Sequence, residues 1–215
     1  MNKESLHLIN SLLFSIVVAF FTLDYIFLLA IFMVLFFEKD NLKKILKKLF
    51  FLNFFIFILV LFVFFQNKNE AIELFFRTNL ILLFNITLFY KSRGYDIVRG
   101  FDSLNFPAKF VSVFYFTISL IEHLMLNFKE TKNSLKSRGF RSRTSLFTYQ
   151  TYGNIFAMIF IKAIKKSEDM RCSMIARGFE NRIFFIKSDK IATYEILLFV
   201  LIVIIYIKVF YELFS

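Results

Sequence analysis

The sequence predicts an all-α integral membrane protein with about five transmembrane helices and a set of long helices between the fourth and last spans. Three observations carry this. Of the 215 residues, 58% are hydrophobic and 20% aromatic. The apolar runs reach the ~20 residues a bilayer-crossing helix needs. The basic residues are confined to particular segments, although the chain carries a net charge of +11.

The first apolar run extends from Leu8 to Phe37, broken by Thr22 and Asp24. As one helix it would be about 45 Å long, too long for a ~30 Å hydrocarbon core without strong tilt. Two short helices near 8–22 and 25–37, with Asp24 at the turn, fit better. "EKDNLKKILKKL" (38–49) follows with five lysines, then spans at 49–65 and 74–90 joined by the polar "QNKNEAIE", and a last span from about Tyr194 to Phe210. These segments divide the chain into an N-terminal membrane domain (1–90), a cytoplasmic domain (91–192) and a C-terminal span (193–215).

Orientation follows from the lysines and arginines. One precedes the first span, five lie in 38–48 and 18 in 91–192, leaving only Lys68, Arg77 and Lys208 elsewhere. With the N-terminus cytoplasmic, nearly all positive charge is inside, as membrane topology favours. The charge is thereby explained without nucleic acid as a partner. "FVSVFYFTISLIEHLMLNF" (110–128) is apolar enough to count as a span, with "IFAMIFIKAI" (155–164) as its return. That pairing would export six basic residues in 129–150, so 108–138 reads instead as a long helix lying against protein.

Catalytic and metal chemistries find little support. A single cysteine, Cys172, rules out an internal disulfide or a Cys-based metal cluster within one chain. His7 and His123 are the only histidines, and Glu122 and His123, being adjacent, point in different directions on a helix. There is no GxxxxGK[ST] loop for ATP and no acidic cluster or Ser/His/Asp set. The expectation is a non-enzyme with no cofactor and no metal site. The N-terminus "MNKESLHLIN" lacks the small-residue cleavage site of a removable signal.

Four of the five glycines, Gly94, Gly100, Gly139 and Gly178, directly follow an arginine. Arg138 placed over Arg177, an offset of 39 residues, brings "ETKNSLKSRGFRSR" (130–143) over "DMRCSMIARGFENR" (169–182). Arg-Gly-Phe repeats, as do Ser134/Ser173 and Arg143/Arg182, which marks an internal duplication. Glycine just past a helix can adopt the left-handed conformation that closes it, and a basic residue there faces the negative end of the dipole. Each copy therefore reads as an arginine at a capped helix tip with an aromatic, Phe140 or Phe179, after the turn. A matched pair of tips suits a matched pair of partners. "KSRGYDIVRGFDSLNFPAKF" (91–110) reads instead as a connector anchored at the headgroups.

At these residues the chain resembles the transmembrane T component of energy-coupling-factor (ECF) transporters, of the cobalt/nickel, CbiQ-like type. That family ends two cytoplasmic coupling helices in an Ala-Arg-Gly-type signature. Here the second is Ala176-Arg177-Gly178 and the first departs to Ser137-Arg138-Gly139. The link 140–170 and the short amphipathic piece ending at Pro107 are also similar, whereas the Leu-Asp-Pro-Arg-like opening is absent and Asn127 stands where an acid is usual.

The resemblance implies a multi-pass protein of a prokaryotic cytoplasmic membrane. It would dock two ATP-binding cassette ATPase subunits through Arg138 and Arg177 and pass their motion to a substrate-binding membrane S component, for cobalt or nickel uptake. Two alternatives stay open: a shared coupler for vitamin-type substrates, and a membrane scaffold whose basic helices bind anionic lipid. A scaffold would lose function on general neutralisation of Lys and Arg, a coupler on loss of Arg138 and Arg177 specifically.

Overall fold

The computed structural model describes residues 2–21, 25–141, 143–185 and 191–214, and among these the ordered elements are helical. In chain order they are α1 (Lys3–Phe20), α2 (Ile26–Phe37), α3 (Leu42–Gln66), α4 (Lys68–Leu88), α5 (Gly94–Ser103), α6 (Ala108–Ser137), α7 (Leu146–Ala176) and α8 (Thr193–Phe214). A single 3-10 turn, Lys39–Asn41, leads into α3. The turn assigned to Asp24 lies outside the described residues.

Two helices are longer than the apolar runs that announce them. α3 begins seven residues before Leu49, so the lysine-rich stretch forms its first two turns instead of a loop. Lysine is a good helix former and its stem packs on apolar surface, so it extends the helix at little cost. α4 starts at Lys68, and the polar linker shrinks to Asn67, whose side chain accepts from the Asn69 N–H at 3.2 Å and caps the helix.

Five helices are long and apolar enough to cross a bilayer: α1, α3, α4, α6 and α8 through Tyr211. The number matches the expectation and the membership does not. α2 has only 12 residues, about 18 Å of helix against a ~30 Å core. α6, by contrast, runs on for 30 residues and satisfies the length and composition of a span.

The helices form two compact units, residues 1–104 with 185–215, and residues 105–184. In the first, α1, α2, α4 and α8 share one core. Phe14, Val17 and Val18 of α1 meet Phe27, Ala30 and Val34 of α2, Phe84 of α4, and Leu198 and Ile202 of α8. The Phe14 ring stacks on Phe84 with centroids 4.0 Å apart and meets Phe27 edge-on at 6.3 Å. α3 lies against α4 and buries only Ile45 and Ile56. Its exposed face, including Phe50, Phe51, Phe54, Phe55, Phe62 and Phe65, is far more apolar than water tolerates and suits a hydrocarbon surround.

Polar side chains bind the bundle laterally. Asn85 of α4 accepts from the Ser11 hydroxyl of α1 and donates to Ser15 at 3.0 Å. Arg77 pairs with Glu73 and donates to the Ala19 carbonyl near the end of α1, where a cation complements the helix dipole. Such interhelical bonds matter in lipid because water is absent there to substitute.

The second unit is an antiparallel pair, α6 and α7. Ring contacts fix its direction: Phe116 meets Phe179 and Phe128 meets Phe156, with centroids 5.6 and 6.1 Å apart. Its own burial is slight, limited among the described residues to Val111, Ser112, Thr148 and Ile155.

Candidate functional site

The ends of α6 and α7 close in the same way, bond for bond. After α6, the Gly139 N–H donates to the Lys136 carbonyl and the Phe140 N–H to the Leu135 carbonyl, both at 3.0 Å. After α7, the Gly178 N–H donates to Ile175 and the Phe179 N–H to Met174, again at 3.0 Å. The two bonds together are a Schellman closure, which needs a left-handed residue at the turn. Gly139 and Gly178 supply it, with φ of +82° and +66°. The backbone has thus turned the sequence repeat into a structural repeat.

Each closure turns an aromatic back and leaves an arginine out. Phe140 lies near Phe147 and edge-on to Tyr152 at the start of α7, while Phe179 lies edge-on to Phe116 of α6. Arg138 and Arg177 are exposed, and neither has a carboxylate partner among the described residues. Ser137 and Ala176 are the last residues of their helices, and the Ser137 hydroxyl donates to the Asn133 carbonyl at 3.1 Å. Because the pair is antiparallel, the tips sit at opposite ends of α7, a 31-residue helix about 45 Å long at ~1.5 Å per residue.

The remaining singled-out residues are not brought together. Arg143 is exposed in the link before α7, and Arg182, also exposed, has its guanidinium 5.2 Å from the centre of the Phe184 ring. Pro107 precedes the first residue of α6, and its carbonyl accepts from Phe110 and Val111. Its fixed φ and missing N–H suit the start of a helix.

The other two Arg-Gly pairs are built differently. Gly94 is the first residue of α5, and the N–H of Arg93 before it donates to the Asp96 carboxylate at 2.7 Å. Gly100 is buried in the interior of α5 against α1. A Cβ there would stand 2.5 Å from Leu8 Cδ1 and 3.1 Å from the Glu4 carbonyl oxygen. Arg99-Gly100 is thus a helix-packing element.

One polar cluster went unread in the sequence. Glu195, in the first turn of α8 and 3% exposed, is 3.1 Å from Lys3 Nζ and 3.2 Å from His7 Nε2. Its second oxygen accepts from the Ala192 N–H at 3.0 Å. His7 alone gives no hint of this, since the partner is 188 residues away. The available signal was that the first and last spans both begin at the same membrane face, which sets the ionisable residues of their first turns at one level. Among the described residues no group of three or more His, Cys, Asp or Glu side chains is placed to hold a metal ion.

The helices and their apolar surfaces define a multi-pass membrane protein, and the paired tips distinguish it within that class. Residues 3–186 match the family of cobalt transport proteins, CbiQ. The match covers most of the sequence, and the chain belongs to that family. Among curated proteins none matches it.

Proposed function

We propose that the chain is the transmembrane coupling subunit of an ECF-type importer that takes up cobalt or nickel. In this reading the α6–α7 pair lies on the cytoplasmic side, each tip enters one of two ATP-binding cassette ATPases, and a separate membrane subunit holds the substrate. The chain itself performs no hydrolysis.

The observation that carries the reading is the identity of the two closures. Two exposed arginines, each held at the end of a helix by the same pair of backbone bonds, present the same shape twice to two like partners. A guanidinium offers five donors in a rigid fork, suited to carboxylate and carbonyl acceptors in a groove. The scant burial within α6 and α7 gives further support, because a hairpin with so little core of its own calls for cover from partners or lipid. Transmission would follow from stiffness: when ATP closes an ATPase pair, the displaced tips carry helices about 45 Å long.

The test is co-purification in mild detergent with the ATPase subunits, for wild type and Arg138→Ala/Arg177→Ala. The coupling reading expects two ATPases per wild-type chain and their loss, with cobalt uptake, in the double variant. Retention of both ATPases and uptake in a folded double variant overturns it.

A further inference from the structure

The first two turns of α3 hold Lys43, Lys44, Lys47 and Lys48, all exposed, and the first turn contains no acidic residue. This is the positive end of the helix dipole, where acids stabilise and lysines do the opposite. Two other lysines at this end of the bundle are paired, Lys3 with Glu195 at 3.1 Å and Lys91 with Glu38 at 2.7 Å, while Lys39 lies over the Phe36 ring. None of the four α3 lysines has a carboxylate partner among the described residues. Among the described residues the concentration of positive charge is therefore not balanced by carboxylates.

Three of the four lie on one side of a cleft between α3 and the end of α4. Lys44, Lys47 and Lys48 line it together with Phe51, Leu52, Ile86 and Tyr90, around a space of about 520 Å³. The Lys48 ammonium stands 4.8 Å from the centre of the Tyr90 ring, which holds that side chain in place. The cleft is graded along the helix. Ammonium groups occupy the end where α3 enters its apolar stretch, and one to two turns further on the walls are purely hydrocarbon. A small soluble anion would use only the first part, whereas a molecule with an anionic head and an apolar tail fits both.

We propose that this cleft is a binding site for one anionic phospholipid. The lipid phosphate sits among Lys44, Lys47 and Lys48, and an acyl chain lies on Phe51, Leu52 and Ile86. Basic pockets between membrane helices at the headgroup level suit such lipids. The bound lipid would neutralise the crowded lysines and oppose the helix dipole, so it would also fasten the start of α3 to α4. The proposal needs only the membrane setting and is independent of what the Arg138 and Arg177 tips dock.

The experiment uses the full chain in a neutral detergent, titrated with phosphatidylglycerol, phosphatidylcholine or inorganic phosphate, with lipid retained per chain read by native mass spectrometry. Phosphatidylglycerol should be retained about tenfold or more over phosphatidylcholine, saturating near one molecule, and should survive excess inorganic phosphate. Lys44→Gln/Lys47→Gln should remove that preference. Lys39→Gln/Lys43→Gln removes the same charge from the same segment, but away from the cleft, and should keep it. Three results overturn the proposal: no preference in wild type, equal loss in both double variants, which means diffuse surface charge, or full displacement by inorganic phosphate, which means a free-anion site.

Discussion

Arg99-Gly100 and Arg138-Gly139 are the same dipeptide before the same residue, phenylalanine, yet the first lies inside a buried helix crossing and the second ends a helix in the open. At Gly100 the missing side chain matters because another helix occupies its place. At Gly139 and Gly178 nothing stands within 4 Å of where a Cβ would go, and what matters is a positive φ. The arginines differ in parallel. Arg99 sits 4.0 Å from Asp96 and stacks its guanidinium 6.0 Å from the Phe185 ring, whereas Arg138 and Arg177 project free of carboxylates among the described residues. A dipeptide motif thus carries no fixed meaning. Its flanks decide whether the glycine is chosen for its size or for its conformation.

This contrast can be tested at graded cost. The largest expected effect is on binding. Arg138→Ala/Arg177→Ala should reduce ATPase co-purification by an amount equivalent to a few kcal/mol, as for buried charge pairs at interfaces, with little change in melting temperature. Arg93→Ala/Arg99→Ala should leave ATPase recovery intact in chains that fold. If both double variants lose the ATPases equally, the division between the two kinds of pair fails.

Gly100→Val comes next, destabilising the α1–α5 crossing by about 1–3 kcal/mol through overpacking, read as a lower melting temperature in detergent. Glu195→Ala strikes the other side of α1 and should cost a comparable about 1–3 kcal/mol, because Lys3 and His7 lose their shared acceptor.

Smaller still, Gly139→Ala and Gly178→Ala should each cost about 1–2 kcal/mol of left-handed strain. The change should stay local, seen as faster amide exchange at Phe140 or Phe179. Asn at either position should be milder, since it tolerates that conformation. Smallest is Gly153→Ala. Gly153 sits exposed in α7 with open space around it, and the substitution should stabilise the helix by about 0.5–1 kcal/mol.

The tips were readable in the sequence because everything that makes them is local. A Schellman closure is set by six consecutive residues, and the duplication displayed those residues twice. The extents of α3 and α4 were read short because hydropathy marks where lipid begins, whereas helices continue into polar residues of good propensity such as Lys47, Lys48 and Glu70. The division of 8–37 into two short helices follows from length, and α2, Ile26–Phe37, matches the second within a residue, though it is shorter than the helices long enough to cross a bilayer. Least legible were Lys3, His7 and Glu195, and the fit of Gly100 against Glu4. These depend on which helices become neighbours across long stretches of chain, and one sequence gives no direct sign of that.

Gly100 also bears on how this chain can change over time. Every single-nucleotide substitution that alters a glycine codon's amino acid introduces at least a Cβ, so the position has no conservative neighbour in the genetic code. The tip of Leu8, 2.5 Å from that Cβ, can swing aside, but the Glu4 carbonyl oxygen at 3.1 Å is backbone and must itself give way slightly. A lineage that lost this glycine would need both a new Leu8 rotamer and a small opening of the α1–α5 crossing. Substitution at Gly100 thus asks for two coordinated adjustments at the start of α1, whereas at exposed Gly153 a Cβ meets open space.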